Sequence, residues 1–191
     1  MPVQQAIDDS ALLALARQTI ATGLEQHCLC LPDVETYSER WREDTASFVT
    51  LKLAGDLRGC IGTLEAVEPL VTNVARNAYN AAFNDPRFPP LTAVELPLAR
   101  LSVSLLTAPE PLAFTTESDL LEQLQPHSDG LIIERGQQHA TFLPTVWDSV
   151  KTPVQFLQAL KQKAGLSPDT QPERAWRYRT QTWQEPDPAP G

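Results

Sequence analysis

The sequence predicts an α+β protein in which an antiparallel or mixed sheet is packed by helices. Phe48 to Thr63, FVTLKLAGDLRGCIGT, has two strand-like runs around Gly55-Asp56, and a second hairpin pattern spans Gly130–Arg135 and His139–Leu143. Helical periodicities lie between and beyond these hairpins. They do not follow the strand-helix-strand rhythm of a parallel sheet.

From Ser10 the apolar face Leu12, Ala16, Ile20 and Leu24 predicts a helix, with Asp8 and Asp9 at its positive end. Cys28 to Asp44 reads as a connecting segment, and Trp41 as an anchor at the edge of the core. A two-residue loop at Gly55-Asp56 pairs Leu53 with Arg58, Leu51 with Cys60, Val49 with Gly62 and Phe48 with Thr63. Cys60 then points the same way as Leu51, toward a buried position. Gly59 and Gly62 mark a bulge or a close approach, and a bulge reverses the facing of the residues beyond it.

Pro69 to Phe83 predicts a helix with Val71, Val74, Ala75, Ala78 and Ala82 inward. The other side carries Asn73, Arg76, Asn77, Asn80 and Asn84, a stripe that is either solvated or lines a cleft. Asp85-Pro86-Arg87-Phe88-Pro89-Pro90 is expected to be a stiff, extended loop with Phe88 plugging the core. Ala99 to Leu106 alternates as a strand with a wetter serine face, and a short helix falls between Pro109 and His127. The second hairpin turns at Gly136-Gln137-Gln138. Thr152-Pro153 opens a helix with Val154, Phe156, Leu157, Leu160 and Ala164 inward and Gly165 at its end. Trp176, Tyr178 and Thr180 alternate along a last strand. Residues 1–184 are expected to form one domain of two lobes, and 185–191 a disordered tail.

The 191 residues contain 15 Lys and Arg against 24 Asp and Glu, a formal charge of -9. That balance repels phosphate backbones and disfavours nucleic acid; Arg174, Arg177 and Arg179 read as a solvated strand edge. No run approaches a membrane span, and MPVQQAIDDS lacks the basic and apolar regions of a signal peptide, so a cytoplasmic protein with no membrane association is expected. The odd cysteine count, Cys28, Cys30 and Cys60, points to reduced thiols. His27-Cys28-x-Cys30 has no second ligand pair to complete a zinc site. No cofactor motif is evident.

LRGCIGT, DPRFPPL at 85–91, SVSLL at 102–106, DGL at 129–131, TFLP at 141–144 and KAG at 163–165 together resemble the AMMECR domain family. Members of that family in bacteria and archaea are called AmmeMemoRadiSam system protein A. The resemblance implies a two-lobed α+β fold with a cleft between the lobes, and an association with a Memo-type protein and a radical SAM enzyme. It implies no settled reaction.

The chemistry admits three readings. In the first, Cys60 is a nucleophile toward a small molecule or nucleotide, its thiolate favoured by Arg58 or Arg87, with backbone N–H groups at the glycines binding an oxyanion and Thr63 orienting the substrate. In the second, Arg58, Gly59, Asn77, Asp85 and Arg87 form a substrate-binding site for a small anion, since a guanidinium binds such groups bidentately. In the third, the motif strand is a socket for a partner protein. Arg87 pairing with Asp85 or Glu95 is the structural alternative to substrate binding.

Overall fold

The computed structural model describes residues 9–186. The protein is α+β and, over the described residues, folds as two compact units: one built from residues 9–106 and 181–186, the other from Thr107–Thr180. Among the described residues no helix is long and apolar enough to cross a membrane.

In the first unit, helix α1 (Asp9–Gln26) buries Leu12, Ala16 and Ile20, as its periodicity predicts. Asp8 and the Asp9 side chain lie outside the described residues. A short turn of helix, α2 (Glu39–Arg42), interrupts the expected connector and buries Trp41. Strands β1 (Ser47–Leu53), β2 (Asp56–Gly62), β3 (Ala99–Leu106) and β8 (Thr180–Gln184) form a sheet in the order β2-β1-β3-β8, so β2 is an edge. Helix α3 (Leu70–Phe83) lays Val71, Val74, Ala75, Ala78 and Ala82 into a core shared with α1, Val49, Leu51, Leu101 and Val103.

The hairpin register departs from expectation. Its loop is Ala54-Gly55, with φ of 52° and 92°, because two left-handed central residues match the twist of the strands. A bulge at Arg58 then pairs Leu51 with Gly59, Thr50 with Cys60, Val49 with Ile61 and Phe48 with Gly62. Every side chain beyond the bulge takes the face opposite to that expected. The packing explains the shift: a Cβ on Gly59 would fall 2.1 Å from the Ala81 carbonyl oxygen, so only glycine fits at the β2 position that meets Ala81 of α3.

The second unit has the sheet β4-β7-β5-β6, from Glu110–Pro111, Arg174–Tyr178, Gly130–Arg135 and Gln138–Phe142. Its hairpin loop is the two-residue Gly136-Gln137, since Arg135 pairs with Gln138. Helix α4 (Glu117–Glu122) starts with a reciprocal cap between Thr116 and Asp119. Helix α5 (Pro153–Ala164) is capped by Thr152 and ends at Gly165. It buries Phe156, Leu157 and Leu160, but Val154 is exposed, and the buried polar residue is Lys161, paired with Glu117 and the Pro168 carbonyl. Trp147 stacks on Phe156 and donates to the Asp129 carbonyl.

Trp176, Tyr178 and Thr180 do not share one strand: the chain ends β7 at Tyr178 and enters the other sheet as β8. Glu185, expected in a disordered tail, is gripped by Arg17 through both carboxylate oxygens, at 2.7 and 2.6 Å.

Candidate functional site

The bulge places Cys60 off the core. Its side chain is half-buried on the sheet face opposite α3, in a row with Thr50 and Ser102 across β2, β1 and β3. The Thr50 hydroxyl lies 3.2 Å from the Cys60 sulfur. Strand alternation along β1 and β3 carries the signal for Thr50 and Ser102, but only the true register joins them to Cys60.

The Cys60 backbone faces outward from the sheet edge, and the Asp85–Arg87 turn meets it there. Asp85 Oδ2 accepts from the Cys60 amide at 2.9 Å, and Arg87 Nη2 donates to the Cys60 carbonyl at 3.1 Å. The two side chains thus replace the neighbouring strand that β2 lacks. Asp85 also accepts from the Arg87 amide, Nε and Nη2 at 3.1, 2.9 and 2.7 Å. The Arg87 hydrogen bond, aided by the two backbone amides and the guanidinium charge, holds the Asp85 carboxyl well below the usual carboxylate range despite its burial. Asp85 in turn is the main cause that raises Arg87, and Cys60 adds to it in the same direction.

Arg58 anchors the far end of the same loop. It donates to both oxygens of Glu95 at 2.8 and 3.2 Å and to the carbonyls of Pro89 and Pro90 at 2.9 and 3.3 Å. The Arg58 hydrogen bond holds Glu95 down at about 2; burial opposes it, and the Thr92 amide and hydroxyl assist. The stretch expected to be extended begins instead with a turn over residues 85–88. The Phe88 amide closes a turn onto the Asp85 carbonyl at 3.1 Å, with Pro86 in the position proline favours. Phe88 does not plug the core; it is half-buried, with the guanidinium carbons of Arg58 and Arg87 at 6.0 and 5.5 Å from its ring centre.

The other expected residues go elsewhere. Asn73 and Asn77 are buried, so the asparagine stripe does not line a cleft at these positions. Asn77 Nδ2 donates to the Ser47 carbonyl at 3.0 Å, and Asn73 accepts from the Ser47 hydroxyl at 2.7 Å. Asn73 also donates to the Thr63 hydroxyl at 2.9 Å, while the Thr63 amide donates to the Ser47 carbonyl. Thr63 thus serves the α3 network and not the thiol. The close approach marked by Gly59 is to the Ala81 backbone. Arg58, expected to hold an anion, is spent on Glu95 and the loop carbonyls; Arg87 pairs with Asp85, as the structural alternative anticipates. Among the described residues no group of three His, Cys, Asp or Glu could hold a metal. Arg174, Arg177 and Arg179 each face a carboxylate, of Glu134, Glu110 and Asp129, so this cluster is neutralised rather than a basic patch.

Two α+β units, one of them with its motif strand as a braced sheet edge, define the class of protein. The chain belongs to the AMMECR1 family, which matches residues 13–183. A protein of Methanothermobacter thermautotrophicus is 40% identical, covering 91% of this chain and 92% of that one. A protein of Methanocaldococcus jannaschii is 36% identical over 81% of this chain and 80% of its own. The crystal structure of an uncharacterized protein from Pyrococcus horikoshii has a TM-score of 0.82 at 31% identity, covering 92% of this chain and 90% of that one.

Proposed function

We propose that this protein is an accessory component that docks onto enzymes, a Memo-type protein and a radical SAM enzyme acting in a modification pathway, through the β2 edge and the Cys60–Thr50–Ser102 face. The observation that carries this reading is the internal neutralisation of the motif. Arg58 is spent on Glu95 and two carbonyls, and Asp85 on Arg87 and two amides. The thiol's hydrogen-bond partner is a threonine hydroxyl, which is not a general base. Charges arranged this way hold a surface in shape, and preorganised surfaces favour binding.

The test is titration of each purified partner with this protein in a calorimeter, repeated with Lys52→Glu, an exposed change on the same sheet face. The expected result is a complex with at least one partner that Lys52→Glu weakens about tenfold, ~1.4 kcal/mol. Failure of both partners to bind at tens of micromolar, or binding indifferent to Lys52, refutes the reading.

A second reading, Cys60 as a nucleophile, draws on the displacement of the thiol from the core to a half-buried row beside a hydroxyl. The pH dependence of Cys60 alkylation in a Cys28→Ser, Cys30→Ser protein decides it. Titration below about pH 7, against ~8.5 for a free thiol, supports it; resistance until the protein unfolds removes it.

A further inference from the structure

Helix α1 ends at Gln26, and His27 turns the chain through a left-handed conformation, φ 56°, while its amide still donates to the Gly23 carbonyl at 2.9 Å. The turn brings two free thiols together just past the helix: the sulfurs of Cys28 and Cys30 lie 3.6 Å apart, Cys28 exposed and Cys30 half-buried. Neither belongs to the core of the first unit. Among the described residues no third His, Cys, Asp or Glu gathers with them, which leaves the pair to sulfur chemistry rather than to a structural metal.

We propose that Cys28 and Cys30 are a thiol–disulfide exchange site whose substrate is a low-molecular-weight disulfide and whose product is an intramolecular Cys28–Cys30 disulfide. A disulfide bond is ~2.0 Å long, so the sulfurs must close by about 1.6 Å from their present 3.6 Å. On an exposed turn, side-chain rotation and a small backbone adjustment supply that movement without disturbing the core.

The two thiols are not equivalent. Cys30 donates to Gln26 Oε1 at 3.0 Å, and its contact with Cys28, chiefly the hydrogen bond, pushes the Cys30 thiol up, so Cys30 keeps its proton longer. Cys28 is the more accessible sulfur and attacks first. Its thiolate forms a bond to one sulfur of the incoming disulfide, whose S–S bond breaks, and the departing thiolate takes up the proton that Cys28 lost. Cys30 then loses its proton to solvent and attacks the Cys28 sulfur of the mixed disulfide, and the second small thiolate leaves and is protonated. The protein dithiol is oxidised by two electrons, and one small disulfide is reduced to two thiols. Excess small thiol reverses both steps.

The experiment equilibrates the full chain with oxidised glutathione, quenches with acid, and maps Cys28, Cys30 and Cys60 by peptide mass spectrometry after alkylation. The wild type is expected to lose two thiols as a Cys28–Cys30 link with little retained glutathione. Cys30→Ser is expected to trap glutathione on Cys28, at least about tenfold more than the wild type carries. Cys28→Ser is expected to acquire it on Cys30 more slowly than Cys30→Ser does on Cys28. Unchanged circular dichroism of both variants shows that the fold is not the cause. Both cysteines remaining as thiols, or a wild type that accumulates stable glutathione adducts without the internal link, overturns the proposal. Faster capture at Cys30 than at Cys28 overturns the assigned order of attack.

Discussion

Replacing Asp85 with Asn tests whether this carboxylate, and not the strand pairing alone, holds the edge of β2. The side chain is 2% exposed and accepts from four N–H groups: the Cys60 amide and the amide, Nε and Nη2 of Arg87. An asparagine presents one acceptor oxygen, and its NH2 would face donors. Leaving buried donors unsatisfied costs about 1–3 kcal/mol, toward the upper end for charge-assisted bonds. The roughly 3–5 kcal/mol of a fully buried broken pair is an overestimate here, because Arg87 is 52% exposed and rehydrates. The expected loss is about 2–3 kcal/mol, a fall in Tm of roughly 4–12 °C for a chain of this size. The Cys60 amide should exchange hydrogen faster in the same variant.

The pH dependence supplies the sharper assay. The folded Asp85 carboxyl is depressed, chiefly by the Arg87 hydrogen bond, so its charge contribution is fully present above the unfolded value of ~3.9 and is lost as pH falls toward the folded value. The gap between wild type and variant should hold steady from about pH 8 to 5 and narrow below about 4. A Tm equal to that of the wild type, or a gap that stays constant through this acid range, refutes the reasoning.

Two further predictions concern the scaffold. Gly59→Ala should lower the urea midpoint by the equivalent of about 1–3 kcal/mol, the usual cost of overpacking, because its Cβ would meet the Ala81 carbonyl; an unchanged midpoint shows that β2 and α3 are not in backbone contact. Tyr178 should ionise last of the three tyrosines in an ultraviolet-monitored titration, since burial pushes its phenol up to about 12, with the Thr141 hydrogen bond opposing. Its neutral form contributes stability below the unfolded value of ~10, and that contribution is lost as pH rises from there to about 12. Tyr178→Phe should remove the late step and cost about 1 kcal/mol through the bonds to Thr141 and the Phe142 carbonyl; a late step that survives refutes the assignment.

Local pattern determined much of the fold. The periodicity at Leu12, Ala16 and Ile20 and the apolar face from Val71 to Ala82 recur in the structure, because which side of an element is apolar depends on spacing along the chain; β3 keeps Leu101 and Val103 inward, but Ser104, expected on the wetter face, is buried against the Thr182 hydroxyl. The caps at Thr152 and Gly165 were legible for the same reason: helix ends are satisfied by residues a few positions away. The family was legible in LRGCIGT and the ordered motifs after it.

Only the tertiary structure decided the features that depend on long-range contact. The bulge at Arg58 answers to the Ala81 carbonyl, far along the chain on α3, and that single shift moves Cys60 from the core to the polar face. The asparagines of α3 look like a solvated or ligand-facing stripe in sequence, yet Asn73 and Asn77 are buried because Ser47 offers them a hydroxyl and a carbonyl across the packing interface. Arg58 finds Glu95, and Arg87 finds the Cys60 carbonyl, at separations no motif encodes, whereas the Asp85–Arg87 pair lies within DPRFPPL and is one of the two partners the sequence offers Arg87. Pairing of polar groups depends on three-dimensional proximity, which the chain specifies only once its core has closed.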